Sequence, residues 1–338
     1  MEQTSAHRRR FWTLRRREAA AGYAFAAPWI LGFLFLSLGP MVFSAALSLF
    51  QWDGVADIRT ARYVGLGNYG RMVEGEPAAK PQATGAAAPT RLRVRSEAPP
   101  RLPGERDVFL KSLWNTAYYA AISVPAGLVI ALALAVLLNQ PVKGLALWRT
   151  AFYLPTIVSG VATYVLWAWL FDPQFGLLNT LLRRFGIDGP AWLADPAWAK
   201  PALIVMSLWS VGSGMLIFLA GLQHVPRELY EAAELDGAGP WRRFLHVTVP
   251  HLSPLIFFNL VMGTIGALQT FAQAYVMTGG GPANSTLFFA LYIYEKAFDF
   301  HEMGYAAALS WVLFALAMAL TLLLLKSSRL WVHAEVEP

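Results

Sequence analysis

Residues 226–250 read PRELYEAAELDGAGPWRRFLHVTVP and join two long uncharged segments. Pro226 suits the first position of a helix, where its missing amide hydrogen costs nothing. Gly237 suits the left-handed conformation that ends many helices. Pro240 then begins a second short helix, and Pro250 is expected to stop it. The stretch therefore predicts a helix–turn–helix with an apolar side.

The segments on either side belong to a pattern that runs through the whole chain. Charged residues are absent between Glu18 and Asp53, Lys111 and Lys143, Arg149 and Asp172, Lys200 and Arg227, Arg243 and Glu295, and Glu302 and Lys326. Each segment holds the roughly 20 apolar residues that a membrane-spanning helix needs. The predicted spans are residues 22–50, 114–138, 151–171, 201–222, 252–276 and 304–325. The pattern predicts an all-α polytopic membrane protein with six transmembrane helices.

The composition excludes a soluble protein. Of the 338 residues, 56% are hydrophobic and 14% are charged, whereas an average soluble domain carries about 25% charged residues. A soluble fold of this size cannot bury so much apolar surface. The chain has no cysteine, which excludes disulfides, thiolate metal sites and cysteine nucleophiles.

Basic residues near the span ends predict the orientation. The N-terminal tail is rich in arginine, and an even number of spans returns the C-terminus to the same side, so both termini are expected in the cytoplasm. The long loop 51–113 carries ten basic residues, which conflicts with this orientation, but long loops count little in the rule. The short outer loops are expected to hold Arg183, Arg184, Lys200 and Lys296.

The segment between the fourth and fifth spans resembles the cytoplasmic EAA loop of binding-protein-dependent ABC importer permeases. Its residues match that motif in order and spacing: Glu231, Ala232, Ala233, Asp236, Gly237, Ala238, Phe244 and Pro250. Other motifs resemble the carbohydrate branch of the family, the maltose and glycerol-3-phosphate permease type. They are YVGLGNY at 63–69, WNT at 114–116, FGLLN at 175–179, TGGGP at 278–282 and YAAALS at 305–310.

The resemblance implies a type I ABC importer permease (MetI-like) fold in a bacterial or archaeal plasma (inner) membrane. The expected partners are a second permease subunit, expected to be a distinct homologue, two ABC ATPase subunits, an extracytoplasmic solute-binding protein and membrane lipid. In this family the EAA loop couples to the ATPase, a role carried here by residues 231–233 and 236–238. No cofactor is expected on this chain, since ATP hydrolysis belongs to a separate subunit.

These expectations divide the chain into five parts. They are a basic cytoplasmic tail (1–21), the first transmembrane helix (22–50), an extracytoplasmic loop (51–113) with a Pro-rich insertion (74–106), the permease core (114–325) with its coupling loop (223–251), and a cytoplasmic tail (326–338). The insertion is longer than expected for this branch. It is interpreted as a flexible segment, with contact to a soluble partner as the alternative.

A stripe of small and polar residues in the fifth span is the candidate translocation cavity. Asn259, Gly263, Gly266, Thr270 and Gln273 recur every three or four residues, which places them on one face of a helix. Asn and Gln supply the donors and acceptors that hydroxyl-rich solutes require. The alternative interpretation is close packing against another helix, since small residues often serve that purpose in membranes.

Other functional classes find less support in the sequence. The predicted spans carry no Asp, Glu, Lys or Arg, whereas ion-coupled transporters usually place ionisable groups within the membrane. An importer of the same fold for amino acids, peptides or anions remains the alternative.

The sequence offers no P-loop and no paired catalytic set, and His246 and His251 are too few for a metal site. No soluble basic domain predicts nucleic-acid binding. For the helix–turn–helix, the alternative is an amphipathic segment lying on lipid.

Overall fold

The computed structural model describes residues 14–74, 104–141 and 143–333, and these form a largely helical protein. The α-helices are α1 (Leu14–Gly32), α2 (Gly39–Leu47), α3 (Gly67–Glu74), α4 (Glu105–Leu138), α5 (Leu145–Ile157), α6 (Gly160–Leu170), α7 (Leu177–Arg184), α8 (Pro196–Leu208), α9 (Gly212–His224), α10 (Arg227–Leu235), α11 (Pro240–Arg243), α12 (Val249–Leu268), α13 (Ala272–Met277), α14 (Phe289–Tyr294) and α15 (Met303–Ser328). Three π-helical turns cover Phe33–Leu38, Phe244–Thr248 and Glu295–Asp299. A 3₁₀ turn (Ile58–Thr60) lies between the short antiparallel strands β1 (Phe50–Gln51) and β2 (Arg62–Tyr63).

The helices supply six spans in the predicted order. Four rods are long and apolar enough to cross a bilayer: Ala21–Leu47, Arg106–Leu138, Pro240–Leu268 and Met303–Ser328. The third and fourth spans are bent pairs, α5 with α6 at 99° and α8 with α9 at 44°. Counting each bent pair as one span confirms the predicted six-helix polytopic class. We call the end that carries residues 226–240 the hairpin end, and the other the distal end.

The third span differs from the predicted straight helix 151–171. It begins at Leu145 and breaks at Val158 and Ser159, whose ψ angles of 137° and 131° are extended. Sharp kinks in helices often occur at Gly/Ser pairs, and Ser159 precedes Gly160. Apolar content alone cannot reveal such a break, because both halves are equally apolar.

The fifth span corrects two expectations. The helix begins at Pro240 rather than at residue 252, because Pro250 does not stop it. A proline ring crowds the carbonyl four residues earlier, and here the wide turn Phe244–Thr248, closed by the Val249 amide on the Phe244 carbonyl, precedes it. The wide turn relieves the crowding, so the helix continues. The rod then ends at Leu268, and residues 272–277 form the separate helix α13.

The second, fourth and fifth spans form the centre of the molecule. α4 packs along α8, α9 and α12, and α15 packs beside α12, α14 and α2. Fully buried side chains include Leu203, Phe218, Phe288, Phe289 and Leu309. By contrast, none of the most apolar part of the first span is buried within the chain. Its large side chains therefore face lipid or another subunit.

The distal end is closed by loops that pack on the starts of the spans. β1 and β2 pair Phe50 with Tyr63, and Gly304 lets the sixth span approach this ribbon. A Cβ on Gly304 would overlap the Phe50 carbonyl oxygen. The insertion predicted at 74–106 lies outside the described residues except for its ends. Most of the predicted 1–21 tail and residues 334–338 also lie outside them; α1 is described from Leu14.

Two lysines predicted to lie in outer loops occupy helical, protected positions. Lys296 lies on the π turn before the sixth span, is buried, and pairs with Glu302 at 3.2 Å. Glu302 also pairs with Arg71 on α3 at 2.9 Å. Lys200 lies within α8 and is half-buried. Lys200 therefore lies on the helix of the fourth span, which begins at Pro196, earlier than the residue 201 predicted from apolarity.

Candidate functional site

The hairpin between the fourth and fifth spans has the predicted local structure. α10 covers Arg227–Leu235 with Pro226 at its N-cap. At its C-terminus, the Ala238 amide donates to the Ala233 carbonyl at 2.9 Å, and the Gly237 amide donates to the Glu234 carbonyl at 3.0 Å. Gly237 has φ = 76°. This is a Schellman ending, in which a left-handed glycine lets the chain satisfy the last carbonyls.

Two side-chain contacts tie α10 to the helix that follows. The hydroxyls of Tyr230 and Thr248 lie 2.9 Å apart. Arg243 donates to the Glu234 carboxylate at 3.2 Å. Because α11 continues through the π turn into α12, α10 is attached to a single helical rod that reaches the middle of the spans. The hairpin is thus continuous with the fifth span.

The hairpin exposes both polar and apolar side chains. Among the predicted coupling residues, Glu231, Ala232, Asp236 and Gly237 are exposed, while Ala233 and Ala238 are half-buried. Large apolar side chains are exposed beside them: Leu229, Leu235, Trp241 and Leu245, with Leu235 90% exposed. The combination suits either a protein docking surface or a lipid surface. Water would reach these residues on a free protein docking surface, whereas lipid would reach them on a lipid surface.

A cavity of about 270 Å³ lies between the second, fourth and fifth spans. Its polar lining comes from all three: Tyr119 and Ser123 on α4, Ser207 on α8, and Asn259 and Thr270 from the fifth span. The Asn259 amide group donates to the Leu255 carbonyl at 2.9 Å. The cavity therefore combines amide, hydroxyl and phenol groups on an otherwise apolar wall.

Both interpretations of the small-residue stripe apply, at different positions. A Cβ on Gly263 would lie 3.3 Å from Val124 Cγ1, so this glycine permits close packing with α4. A Cβ on Gly266 would meet nothing within 4 Å, and Gly266 lines the cavity. Gly263 therefore serves packing, and Gly266 leaves the cavity open.

Gln273 does not join Asn259, Gly266 and Thr270 on the cavity wall. The stripe assumed an unbroken helix, but α12 ends at Leu268 and Gln273 lies on α13. Its side chain is only 7% exposed, and its amide nitrogen has no hydrogen-bond partner among the described residues. The placement of Gln273 in the cavity was wrong because the periodicity was carried across a break.

Sequence reasoning missed most of the cavity's polar groups. Ser123 stands alone in an apolar segment and carries no periodic signal. Ser207 recurs with Ser210 and Ser213 at intervals of three residues, a spacing that could have indicated a polar helix face. Tyr119 belongs to no motif. Only the packing of three spans brings these side chains together. Among the described residues, no group of three or more His, Cys, Asp or Glu side chains is placed to hold a metal ion.

Curated relatives are permeases of ABC transport systems. The chain is 39% identical over 325 residues to the probable ABC transporter permease protein YesP of Bacillus subtilis, covering 95% of this chain and 94% of the relative. It is 41% identical over 223 residues to the sulfoquinovosyl glycerol transport system permease protein SmoG of Agrobacterium fabrum, covering 66% and 72%. It is 34% identical over 324 residues to the lactose transport system permease protein LacF of Rhizobium radiobacter, covering 94% and 97%.

A solved structure shares the fold. The match is to the crystal structure of a bacterial ABC transporter involved in the import of the acidic polysaccharide alginate, with a TM-score of 0.71 and 21% identity over 93% of this chain and 96% of that chain. Residues 105–338 match the model of the binding-protein-dependent transport system inner membrane component family. With six apolar spans and this match over most of its length, the chain belongs to that family and is a multi-pass protein of the inner membrane.

Proposed function

We propose that this chain forms half of the translocation pathway of an ATP-driven importer for a sugar or sugar-like solute. A second permease subunit, a distinct homologue, supplies the other half, two ABC ATPase subunits bind the hairpin, and an extracytoplasmic binding protein delivers the solute. Both termini and the hairpin lie in the cytoplasm. The proposal is carried by two connected features. A polar cavity is lined in part by the fifth span, and the helix of that span is continuous with the exposed hairpin.

The hairpin supports coupling to a motor protein. Its exposed apolar side chains sit beside acidic ones, as Leu235 does beside Asp236, and aromatic and aliphatic anchors with a polar rim are typical of protein interfaces. Ala232 and Ala238 add little bulk and permit close approach. Glu231 is exposed and offers its charge to the ATPase cleft. Movement of α10 reaches the cavity through the Pro240–Leu268 rod.

The cavity supports a small hydroxyl-rich solute. Its volume of about 270 Å³ lies near the lower end of the range of about 300–1,000 Å³ for ligand pockets. Asn259 offers both donors and acceptors. The hydroxyls of Ser207 and Thr270 donate to the carbonyls of Ile204 and Gly266 at 2.7 and 3.4 Å, so they offer a solute acceptor oxygens. The names of SmoG and LacF, permease proteins of sulfoquinovosyl glycerol and lactose transport systems, support the sugar class for this chain.

Cysteine accessibility tests the orientation of the hairpin. Because the chain has no cysteine, a single introduced thiol reports its own side of the membrane. Leu235→Cys lies on the hairpin, and Val55→Cys, 76% exposed at the distal end, is the matched control. On intact spheroplasts, an impermeant maleimide should label V55C and leave L235C unlabelled until the membrane is opened. The reverse pattern would overturn the proposed coupling.

Energy dependence tests the transport class. The complex purified with its own subunits is reconstituted into proteoliposomes, with the binding protein and the solute found by screening that protein. Uptake should require ATP and persist when ionophores dissipate ion gradients. Uptake that stops with the gradients would assign a secondary transporter. Delivery of an amino acid or peptide instead of a sugar would assign the alternative importer class.

A further inference from the structure

Among the described residues, two lysines at the distal end contact only neutral groups. Lys111 Nζ, near the start of α4, donates to the Ala283 carbonyl at 2.7 Å. Lys200 Nζ on α8 donates to Asn115 Oδ1 at 3.1 Å and lies 5.0 Å from the centre of the Tyr118 ring. In the part of the chain that the structure describes, neither ammonium group forms an ion pair with a carboxylate. We call these residues the distal lysine pair.

The two lysines are attached to the same loop. Asn115, the partner of Lys200, is fully buried and donates to the carbonyls of Asn284 and Leu287 at 2.8 and 3.1 Å. Lys111 binds the preceding loop residue, Ala283. Residues 111 and 115 are one turn apart on α4 and therefore face the same way. Two positive charges are thus brought to one small region, where they repel each other.

The distal lysine pair lies on the same helices, α4 and α8, as part of the cavity wall. Lys200 lies seven residues, or about 10 Å along the helix, from Ser207 on the same face of α8. Asn115 lies one turn before Tyr119 on α4. Both Ser207 and Tyr119 line the cavity. The same two helices therefore carry the lysine site at their distal ends and the cavity wall further in.

Buried apolar side chains lie between the two sites. The Tyr119 ring packs on Phe288 with 5.1 Å between ring centres. Leu203, which lies between Lys200 and Ser207 on α8, is fully buried in the same cluster as Phe288. The distal lysine pair therefore lies nearer to the distal end than the cavity does.

An anion would relieve an unfavourable arrangement. Lys200 is half-buried, and its ammonium group is costly there without an opposite charge. Lys111 is exposed and adds a second positive charge nearby. Each lysine has three donors, of which one is used by the hydrogen bonds above. We propose that Lys111 and Lys200 bind the carboxylate, sulfonate or phosphate group of an acidic solute as it enters the pathway. This assignment rests on the proposed import function and narrows its substrate class. Because Lys200 is recessed beside Tyr118 and Asn115, it fits a small anionic group better than a protein surface.

Lysine protection in the intact importer complex tests this site. The probes are glucuronate, glucose 6-phosphate and 6-deoxy-6-sulfoglucose, with glucose as the neutral control at matched ionic strength. Reductive methylation of each lysine is followed by mass spectrometry. By mass action, a probe at twice its Kd slows modification about threefold. At least one anionic probe should protect Lys111 and Lys200, glucose should not, and exposed Lys326 at the hairpin end should react at an unchanged rate.

Variants separate an anion site from a purely structural role. K200M should abolish the protection of Lys111, whereas K200R, which keeps the charge, should retain it. Unprotected lysines with all three anions, equal protection by glucose, or protection that appears only on adding the binding protein would each overturn the assignment. The stimulation of ATP hydrolysis by the binding protein is measured on the same sample. Its absence would refute the proposed import function, whereas the labelling result stands independently.

Discussion

Three buried asparagine side chains hold the distal loops at the scale of single residues. Asn68 donates to the carbonyls of Ser48 and Phe50 at 2.8 and 2.9 Å. Asn115 holds the loop that follows the fifth span. Asn179 accepts from the Trp192 indole at 2.7 Å. These asparagines belong to three of the short motifs that carry the family resemblance, so those motifs help to hold the distal loops in place.

Asn259 and Gln273 provide a matched pair of substitutions. Asn259 lines the cavity and Gln273 does not, although both are amides near the fifth span. Asn259→Leu should lower uptake of the cognate solute about tenfold or more, equivalent to roughly 1.4 kcal/mol, because polar contacts are lost. Gln273→Leu should leave uptake intact and maintain or raise Tm, because it removes a buried amide nitrogen without a partner. Uptake in proteoliposomes and thermal unfolding measure the two effects.

The result is informative only if both variants assemble. Yield of the intact complex, compared with the parent protein, provides that control. Equal uptake by the parent and the Asn259→Leu variant would remove this residue from the pathway.

At the scale of helices, two π turns each precede a proline that does not stop its helix, although Pro125 and Pro155 lie inside α4 and α5 without such a turn. Phe33–Leu38 precedes Gly39 and Pro40, and Phe244–Thr248 precedes Val249 and Pro250. In both, the residue before the proline bonds five residues back: the Gly39 amide to the Leu34 carbonyl, and the Val249 amide to the Phe244 carbonyl. The wide turn separates the proline ring from the preceding carbonyl. A rule based on single residues therefore ends these helices too early.

The turn of the hairpin offers a second matched pair. Gly237 has φ = 76° and Gly239 has φ = −69°, and a Cβ on either would meet nothing within 4 Å. Gly237→Ala should therefore cost about 1–2 kcal/mol from backbone strain alone, while Gly239→Ala should cost little. We expect the first variant to reduce ATP-driven uptake and the second to match the parent. Uptake and ATP hydrolysis are measured together, since strain in the coupling turn should affect transport more than basal hydrolysis.

A comparable loss in both glycine variants would contradict this explanation. It would show that the added methyl group, rather than the backbone angle, disturbs the hairpin.

At the scale of the molecule, a charged cluster joins distant parts of the chain. Glu302 pairs with Arg71, which lies 231 residues away, and with buried Lys296. It thereby connects α3, just before the insertion, to the start of the sixth span. Arg71 also lies 4.5 Å from the centre of the Tyr305 ring. The cluster holds the distal loops on the spans.

Substitutions of two glutamates test how much burial strengthens an ion pair. Glu302→Gln takes a negative charge from two cations in a protected site and should cost about 3 kcal/mol. Glu234→Gln removes the exposed partner of Arg243 and should cost less than about 1 kcal/mol. Thermal unfolding of the purified complex compares the two. Similar losses would show that the Glu302 cluster is no stronger than a surface ion pair.

The number and order of the spans could be predicted from the sequence alone, because apolar length is a local property of the chain. The sequence also determined the hairpin, since the residues that begin and end α10, Pro226 and Gly237, act within one or two turns. The six-span class and the left-handed turn at Gly237 are both confirmed. Three of the four predicted cavity residues line the cavity: Asn259 and Gly266 lie within α12, and Thr270 lies two residues after its end.

Other features of the fold and of the cavity depend on contacts between segments that are distant in sequence. The 99° break in the third span and the separation of Gln273 from the stripe depend on where a helix bends or ends, which apolar content does not record. Lys200 donates to Asn115, which is 85 residues away, and Lys296 pairs with Glu302, whose other partner is the distant Arg71. The full polar lining of the cavity exists only where three spans meet. These features follow from packing between segments, so no local pattern of residues could reveal them.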